Sequence, residues 1–505
     1  MSVPQNDLVA KRLWGIGLLV GLMITLTAWA ITSPVGSSPD DDYHLTSIWC
    51  AGGERSGVCE TDPALPADVF VPQTVGFAHE CFAYDSSVNA GCTLALSNEL
   101  RATDRANSIQ GLYPTSFYRV MGVFVGDDVQ RSVTAMRLFN AALLVVIVAL
   151  ALWVVQPAIR SALSVVLASI FIPIGLFIIP STNPSSWAVM GIVATWVFGL
   201  ALLHRRQWNQ ARTWLTAAGF VLGVFLAVGS RADGGAYVAM TVAVIVVWTG
   251  WRRLRRNLIS TGVVLAGGVV GGVQFLTFGV PGGGEEAPLG TTEPGPGLFL
   301  TNLVYLPVYL AGAVGSKALG WNDTNLPPLV FVFGLLVVGA LIYRGVIALR
   351  GMRTVAALLA LFFLVAVPMV FMQREGLGVG EVVQSRYLVP LMIGVVATLS
   401  VARPLRQGLP LPMPAVIVMV FAMTAAAGVS LWTNAHRYAA GTEWGLFHLN
   451  LEMDWTGITA LPLTLVVMVG CVSTAFYIAS AFMLAHKDGV TARKGSPTVA
   501  YRPAR

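Results

Sequence analysis

Residues 37–45 read SSPDDDYHL, with three consecutive carboxylates, Asp40, Asp41 and Asp42, followed by His44. Adjacent acids suit proton transfer. One is held ionised and takes a proton from an attacking hydroxyl, while its neighbour orients it or shifts its proton affinity. In that reading His44 orients a carboxylate or contacts the acceptor. The other reading is a solvated acidic turn with His44 exposed beside it. A second group of candidates, His436, Glu443, His448, Glu452 and Asp454, has no metal-ligand spacing and reads as a solvated loop.

The elements that must position the acidic motif are membrane helices. The 505-residue chain is 55% hydrophobic and 11% charged, with a mean hydropathy of +0.72, against about 25% charged residues in a soluble domain. Residues 13–32 form an apolar run behind Lys11 and Arg12, of the length that crosses a hydrocarbon core. Ala28-Trp29-Ala30 imitates a signal-peptide cleavage site, but the run exceeds a usual signal core and many more follow. Further spans fall at 132–156, 161–180, 187–203, 213–230, 235–251, 258–279, 327–347, 354–372, 386–402, 413–432 and 458–484. The expected fold is an all-α polytopic membrane protein of about 12 transmembrane helices.

Lys and Arg sort to one side of this map, at 11–12, 204–212, 251–257, 344–353, 403–406 and after 486, and nearly all acids to the other. The positive-inside rule then makes both termini cytoplasmic. The segments are a cytoplasmic N-terminus at 1–12, the first helix at 13–32, an extracytoplasmic loop at 33–130, a bundle at 131–485 and a basic tail at 486–505. Such basic clusters meet membrane lipids and set orientation; they do not imply nucleic acid. The excess of Arg over Lys, with abundant Ala, Gly and Val, points to a high-GC bacterium and its plasma membrane. Residues 299–315 read as re-entrant or interfacial, the alternative being a true span that breaks the parity. The Gly/Pro-rich stretch at 280–298 reads as flexible, and 181–187 as a turn between spans.

Four of five cysteines, Cys50, Cys59, Cys81 and Cys92, share the first outside loop, and Cys471 lies in a span as a small hydrophobe. Two disulfides are expected; three connectivities exist, and we take the local pairs Cys50–Cys59 and Cys81–Cys92. Zinc, with His44 and His79, is the alternative, although the spacings lack a C-x2-C pattern.

An acid pair just after the first helix, a large first outside loop and a dozen spans together resemble the GT-C superfamily of integral membrane glycosyltransferases, which use polyprenyl-phosphate sugars as donors. Within it the chain is similar to the bacterial domain-of-unknown-function 2142 family, whose members carry Pro-Asp-Glu-x-x-His here. Pro39-Asp40-Asp41-Asp42-Tyr43-His44 matches, with Asp41 in place of Glu and Asp42 where Pro is frequent. GWNDTNLP at 320–327 and QSRYLVPL at 384–391 also resemble that family, whereas the cysteine-bearing insert at 50–92 does not match it.

The resemblance implies Asp40 as catalytic base and Asp41 as its supporting acid; His44, Asp42 and Tyr387 are the candidate orienting or acceptor-contacting groups. Arg386, at the family's Arg-Tyr position, becomes a donor-phosphate ligand, with Arg231 and Arg374 as further candidates. A guanidinium fork gives phosphate two parallel charge-assisted bonds. Each arginine can instead be a helix-end residue reaching to headgroups, and Asp233 can pair with Arg231. The acceptor is a glycan, lipid or protein; no metal ligands are read, and dependence on a divalent cation stays open.

The chain has no G-x-x-x-x-G-K-[ST], and the glycines near 282 neither follow a strand nor open a helix. This disfavours an ATP-driven pump and a nucleotide-sugar enzyme with a cytoplasmic catalytic domain. Two competing readings are a transporter or lipid flippase, which wants ionisable residues in mid-span, and a scaffold, which tolerates loss of Asp40.

Overall fold

In hydrocarbon every backbone N–H and C=O must be bonded within its own segment, and apolar runs of about 20 residues meet that demand as helices. The computed structural model describes residues 5–205, 210–278, 290, 292–316, 319–381, 384–402, 405, 408–443, 445, 448–449 and 462–490. Most of the Gly/Pro-rich stretch, Arg403, Arg406, Glu452, Asp454 and the tail beyond 490 lie outside the described residues.

Among the described residues, ten helices are long and apolar enough to cross a membrane: Asp7–Ile31, Val129–Val154, Ser185–Leu203, Gln210–Val228, Leu258–Phe278, Pro296–Ser316, Pro328–Ile347, Met352–Arg374, Met413–Ala439 and Leu463–Gly489. Three shorter apolar helices, Pro157–Ser169, Gly234–Thr249 and Ser385–Ser400, join them. Apolar on all sides, Ser185–Leu203 is buried along its whole length at the centre. Its Gly191 lets Gln210–Val228 approach so closely that a Cβ there would sit 2.6 Å from the Ala227 nitrogen. The first helix pairs with the last, where the Thr25 hydroxyl meets those of Ser473 and Thr474 at 3.2 Å.

The bundle has two distinguishable ends. One carries Asp40, Thr182, Trp321 and Arg386. At the other, Asp488 is buried against Lys11 at 3.0 Å and Arg160 at 2.6 Å. Nine of the ten long helices and the three shorter segments run between these ends, twelve passages among the described residues.

Pro296–Ser316 is the exception. Gln373 donates to the Gly295 carbonyl at 3.0 Å, Asn302 to that of Leu377 at 2.9 Å, and Tyr309 to that of Gln384 at 3.1 Å. Its whole length therefore lies along the Asp40 end, in keeping with the re-entrant or interfacial reading. The expected span at 161–180 is not one helix. It is helical to Leu167 and again over Ile174–Ile178, with Pro173, which has no amide proton to continue a helix, between them.

The polar module beyond the first helix contains the short helix Asp41–Trp49. Its strands Val69–Pro72 and Leu100–Thr103 pair antiparallel, with Val69 opposite Thr103. Disulfides join Cys50 to Cys59 (S–S 1.98 Å) and Cys81 to Cys92 (2.09 Å), the local pairing expected.

Candidate active site

The chain leaves the first helix and turns through residues 32–39, whose buried carbonyls all need partners. The fully buried Arg137 supplies several: it donates to the carbonyls of Ala30 (3.3 Å), Ser33 and Pro34 (2.9 Å) and to the Ser37 hydroxyl (3.4 Å). Trp321 Nε1 donates to the Gly36 carbonyl at 2.8 Å, Tyr438 to that of Ser37 at 3.2 Å, and Asn183 to that of Pro39 at 2.8 Å. The turn delivers Asp40 in the left-handed region, φ 59° and ψ 25°, as the N-cap of Asp41–Trp49. An aspartate tolerates that region better than most residues, yet it remains a strained conformation of the kind that gathers at functional sites.

Asp40 Oδ2 accepts a 2.7 Å hydrogen bond from Arg386 Nη2. Its side chain keeps 35% of its exposure while that of Arg386 keeps 5%. Burial raises the pKa of Asp40, but the Arg386 charge and hydrogen bond outweigh it and hold the carboxyl below its ordinary 3.8. The base candidate is therefore ionised at neutral pH. Arg386 Nη2 also donates to the Tyr387 hydroxyl at 3.1 Å. Its Nε and Nη1 are buried and have no partner among the described residues. Two unspent donors of a buried guanidinium are what an incoming anion requires.

The other arginines are placed differently. Arg231 gives Nε and Nη2 to Asp233 at 2.7 and 3.0 Å and Nη1 to Ser185 at 3.1 Å, and stacks 4.6 Å over the Tyr387 ring. Its fork is taken, so it braces the Tyr387 side of the site. Arg374 sits at its helix end, about half exposed and 3.6 Å from Glu375.

Asp41 is fully buried, accepting from the Thr182 hydroxyl at 2.6 Å and from the Ser38 amide at 3.0 Å. Burial, opposed chiefly by Arg137, raises its carboxyl to about 6. Asp42 turns the other way and pairs with Arg105, Nε to Oδ2 at 2.7 Å.

His44 is not exposed, as an acidic-turn reading has it; it is buried among Tyr43, Tyr113 and Tyr118. Its Nδ1 lies 3.0 Å from the Tyr118 hydroxyl, and Nε2 has no partner among the described residues. Burial lowers its pKa to about 3, so the imidazole is neutral.

A cleft opens beside Asp40, lined by Pro39, Phe177, Gly320, Asn322, Gln384 and Arg386. A second joins it through Asn322, Gln384 and Ser385 and runs along Tyr305 and Tyr309 of the helix at the Asp40 end. Residues 39–44, 320–327 and 384–391, far apart in sequence, thus meet at one place.

Several contributors escape sequence reasoning. Thr182 and Asn183 belong to a stretch read as a mere turn, although its run of Ser, Thr and Asn amid apolar residues was a signal. Arg105, Arg137 and Tyr118 had none beyond their residue type. His436 is on the extended helix Met413–Ala439, 3.1 Å from the Gly445 carbonyl.

Fold and cleft define the class: a predominantly helical polytopic membrane protein with a carboxylate–guanidinium site at one end of its bundle. The chain belongs to the family described as predicted membrane protein (DUF2142), whose model matches residues 23–395. That match takes in all three stretches at the cleft. No curated protein and no solved structure is significantly similar to it.

Proposed function

We propose that the protein is a glycosyltransferase that moves a sugar from a polyprenyl-phosphate donor to an acceptor hydroxyl at the extracytoplasmic face of a bacterial plasma membrane, in cell-envelope glycan or glycoconjugate assembly. The observation that carries this reading is the pairing of Asp40 with Arg386 at a cleft where Arg386 keeps two unspent buried donors. Asp40 takes the acceptor's proton as its oxygen attacks the anomeric carbon, and the bond from that carbon to the phosphate oxygen breaks. The leaving polyprenyl phosphate carries the electron pair, and Arg386 receives its charge. A phosphate drawing the Arg386 fork away from Asp40 leaves burial to raise the carboxyl, which strengthens the base when the donor is bound. A single displacement inverts the anomeric centre.

A transporter wants ionisable groups in mid-span. Among the described residues the carboxylates within span helices are Asp7 and Asp488, both at helix ends.

The test is donor consumption by purified protein in detergent with a panel of polyprenyl-phosphate sugars, wild type beside Asp40→Asn. Loss of a general base is expected to cost about 10²–10⁴-fold in turnover. Equal rates in the two proteins, or no consumption of any donor by wild type, sinks the proposal.

A further inference from the structure

Among the described residues three non-glycine residues have positive φ: Asp40 at 59°, Tyr84 at 67° and Asn322 at 66°. All three belong to one neighbourhood. Asn322 lines the cleft with Pro39 and Arg386. The Tyr84 amide donates to Asp323 Oδ2 at 3.1 Å, and its ring meets Trp321 edge-on at 5.5 Å. Strain of this kind persists only where surrounding structure over-determines the backbone, and here it does.

Tyr84 lies inside the loop closed by Cys81–Cys92. The buried Arg437 holds that loop by the carbonyls of Phe82 (2.6 Å), Asp85 (3.1 Å) and Val88 (2.5 Å), and reaches Asp323 at 3.1 Å. Beneath, His79 stacks on the buried Trp321 with ring centroids 4.8 Å apart.

All this support holds a side chain that stays outside the core. Tyr84 is 74% exposed. A tyrosine fixed in a costly backbone conformation and left standing in water gains the fold little. Trp321, whose ring Tyr84 meets, donates to the Gly36 carbonyl in the turn that leads to Asp40, and this ties the platform to the acidic motif. Partial burial, then the Asp40 and Asp42 carboxylates, raise the Tyr84 phenol. The elements that hold it also carry groups that bond hydroxyls: Asn322, next to Trp321 and lining the cleft, and, beyond the turn that Trp321 grips, Asp40 and the Asp42–Arg105 pair. A fixed aromatic face beside a rim of carboxylate, amide and guanidinium matches a sugar ring. The sugar's C–H face packs on the aromatic ring while its hydroxyls find the rim.

We propose that Tyr84 is the platform of an acceptor subsite and that the acceptor it holds is a carbohydrate chain, with the Cys81–Cys92 loop and the 320–324 turn fixing the platform over Asp40. The acceptor role rests on the transferase reading; the carbohydrate site does not.

The experiment measures binding of the full-length protein in lipid nanodiscs, without donor, to an array of mannose, galactose, arabinose and rhamnose oligomers and to a peptide panel. Wild type is compared with Tyr84→Phe and Tyr84→Gly, the latter removing the ring while suiting the positive φ. The wild type is expected to bind one class of oligosaccharide, Tyr84→Phe to keep that affinity within about threefold, and Tyr84→Gly to weaken it about tenfold. Undiminished binding by Tyr84→Gly overturns the proposal. So does equal loss in both variants, or a wild type that binds no oligosaccharide or prefers peptides. Glycan binding through Tyr84 with no donor turnover refutes the transferase and leaves the subsite standing. Donor turnover indifferent to Tyr84 does the reverse.

Discussion

Replacing Asp41 by asparagine is expected to remove a pH dependence of stability and to make the protein sturdier in mild alkali. Asp41 is fully buried, and burial, against the opposition of Arg137, Thr182 and Ser38, raises its carboxyl from 3.8 to about 6. The folded protein thus binds this proton about a hundredfold more tightly than the unfolded chain, worth about 3 kcal/mol. Because the folded value lies above the unfolded one, that contribution is full below about pH 4 and is lost as pH rises through about 6. Asparagine is neutral throughout, but one amide oxygen cannot easily accept from both Thr182 and the Ser38 amide, and a lost buried bond costs about 1–3 kcal/mol.

Asp41→Asn should therefore be less stable than wild type near pH 4.5 and equal or up to about 2 kcal/mol more stable near pH 8, with the curves crossing between. The assay is thermal unfolding in detergent at a fixed scan rate across that range. The mutant-minus-wild-type difference cancels the other titrating groups. A difference that stays flat, or slopes the other way, refutes the assignment of a buried, raised carboxyl to Asp41.

Arg386→Lys keeps a charge beside Asp40 but loses the fork, and is expected to raise donor KM by about tenfold or more; steady-state kinetics with unchanged KM would remove Arg386 from the phosphate. Arg137→Gln strips buried carbonyls of their donors and removes the charge opposite Asp41, a loss of about 3–5 kcal/mol. An unaltered thermal midpoint would mean that the turn before Asp40 does not depend on Arg137.

The spans were legible because hydrocarbon imposes one rule on every residue of a run, and long apolar segments such as 132–156 reveal it. The break near Pro173 was blurred because hydropathy is an average over a window, while a proline acts on a single turn. The sequence left three cysteine connectivities open, and the structure shows the local one. Asp40 and Arg386 were visible as candidates by residue type and motif. Their union was not, since 346 residues separate them. Arg231 was ambiguous for the opposite reason: its partner Asp233 is two residues away, and only geometry shows the fork consumed. Thr182 reaching Asp41 and the burial of His44 depend on how helices pack, which local sequence does not encode.

Of the four groups gripped by the Arg137 guanidinium, three are main-chain oxygens. A grip on peptide carbonyls does not read side chains. Residues 30 and 34 are therefore free to drift in identity so long as they pack, while Ser33 also accepts from Asn434 at 3.1 Å, and the turn that presents Asp40 keeps its shape. Arg137 has no such freedom, because no other side chain offers several forked donors from one position. Variation in relatives should therefore be permitted along the turn and penalised at a helix position that never touches the cleft.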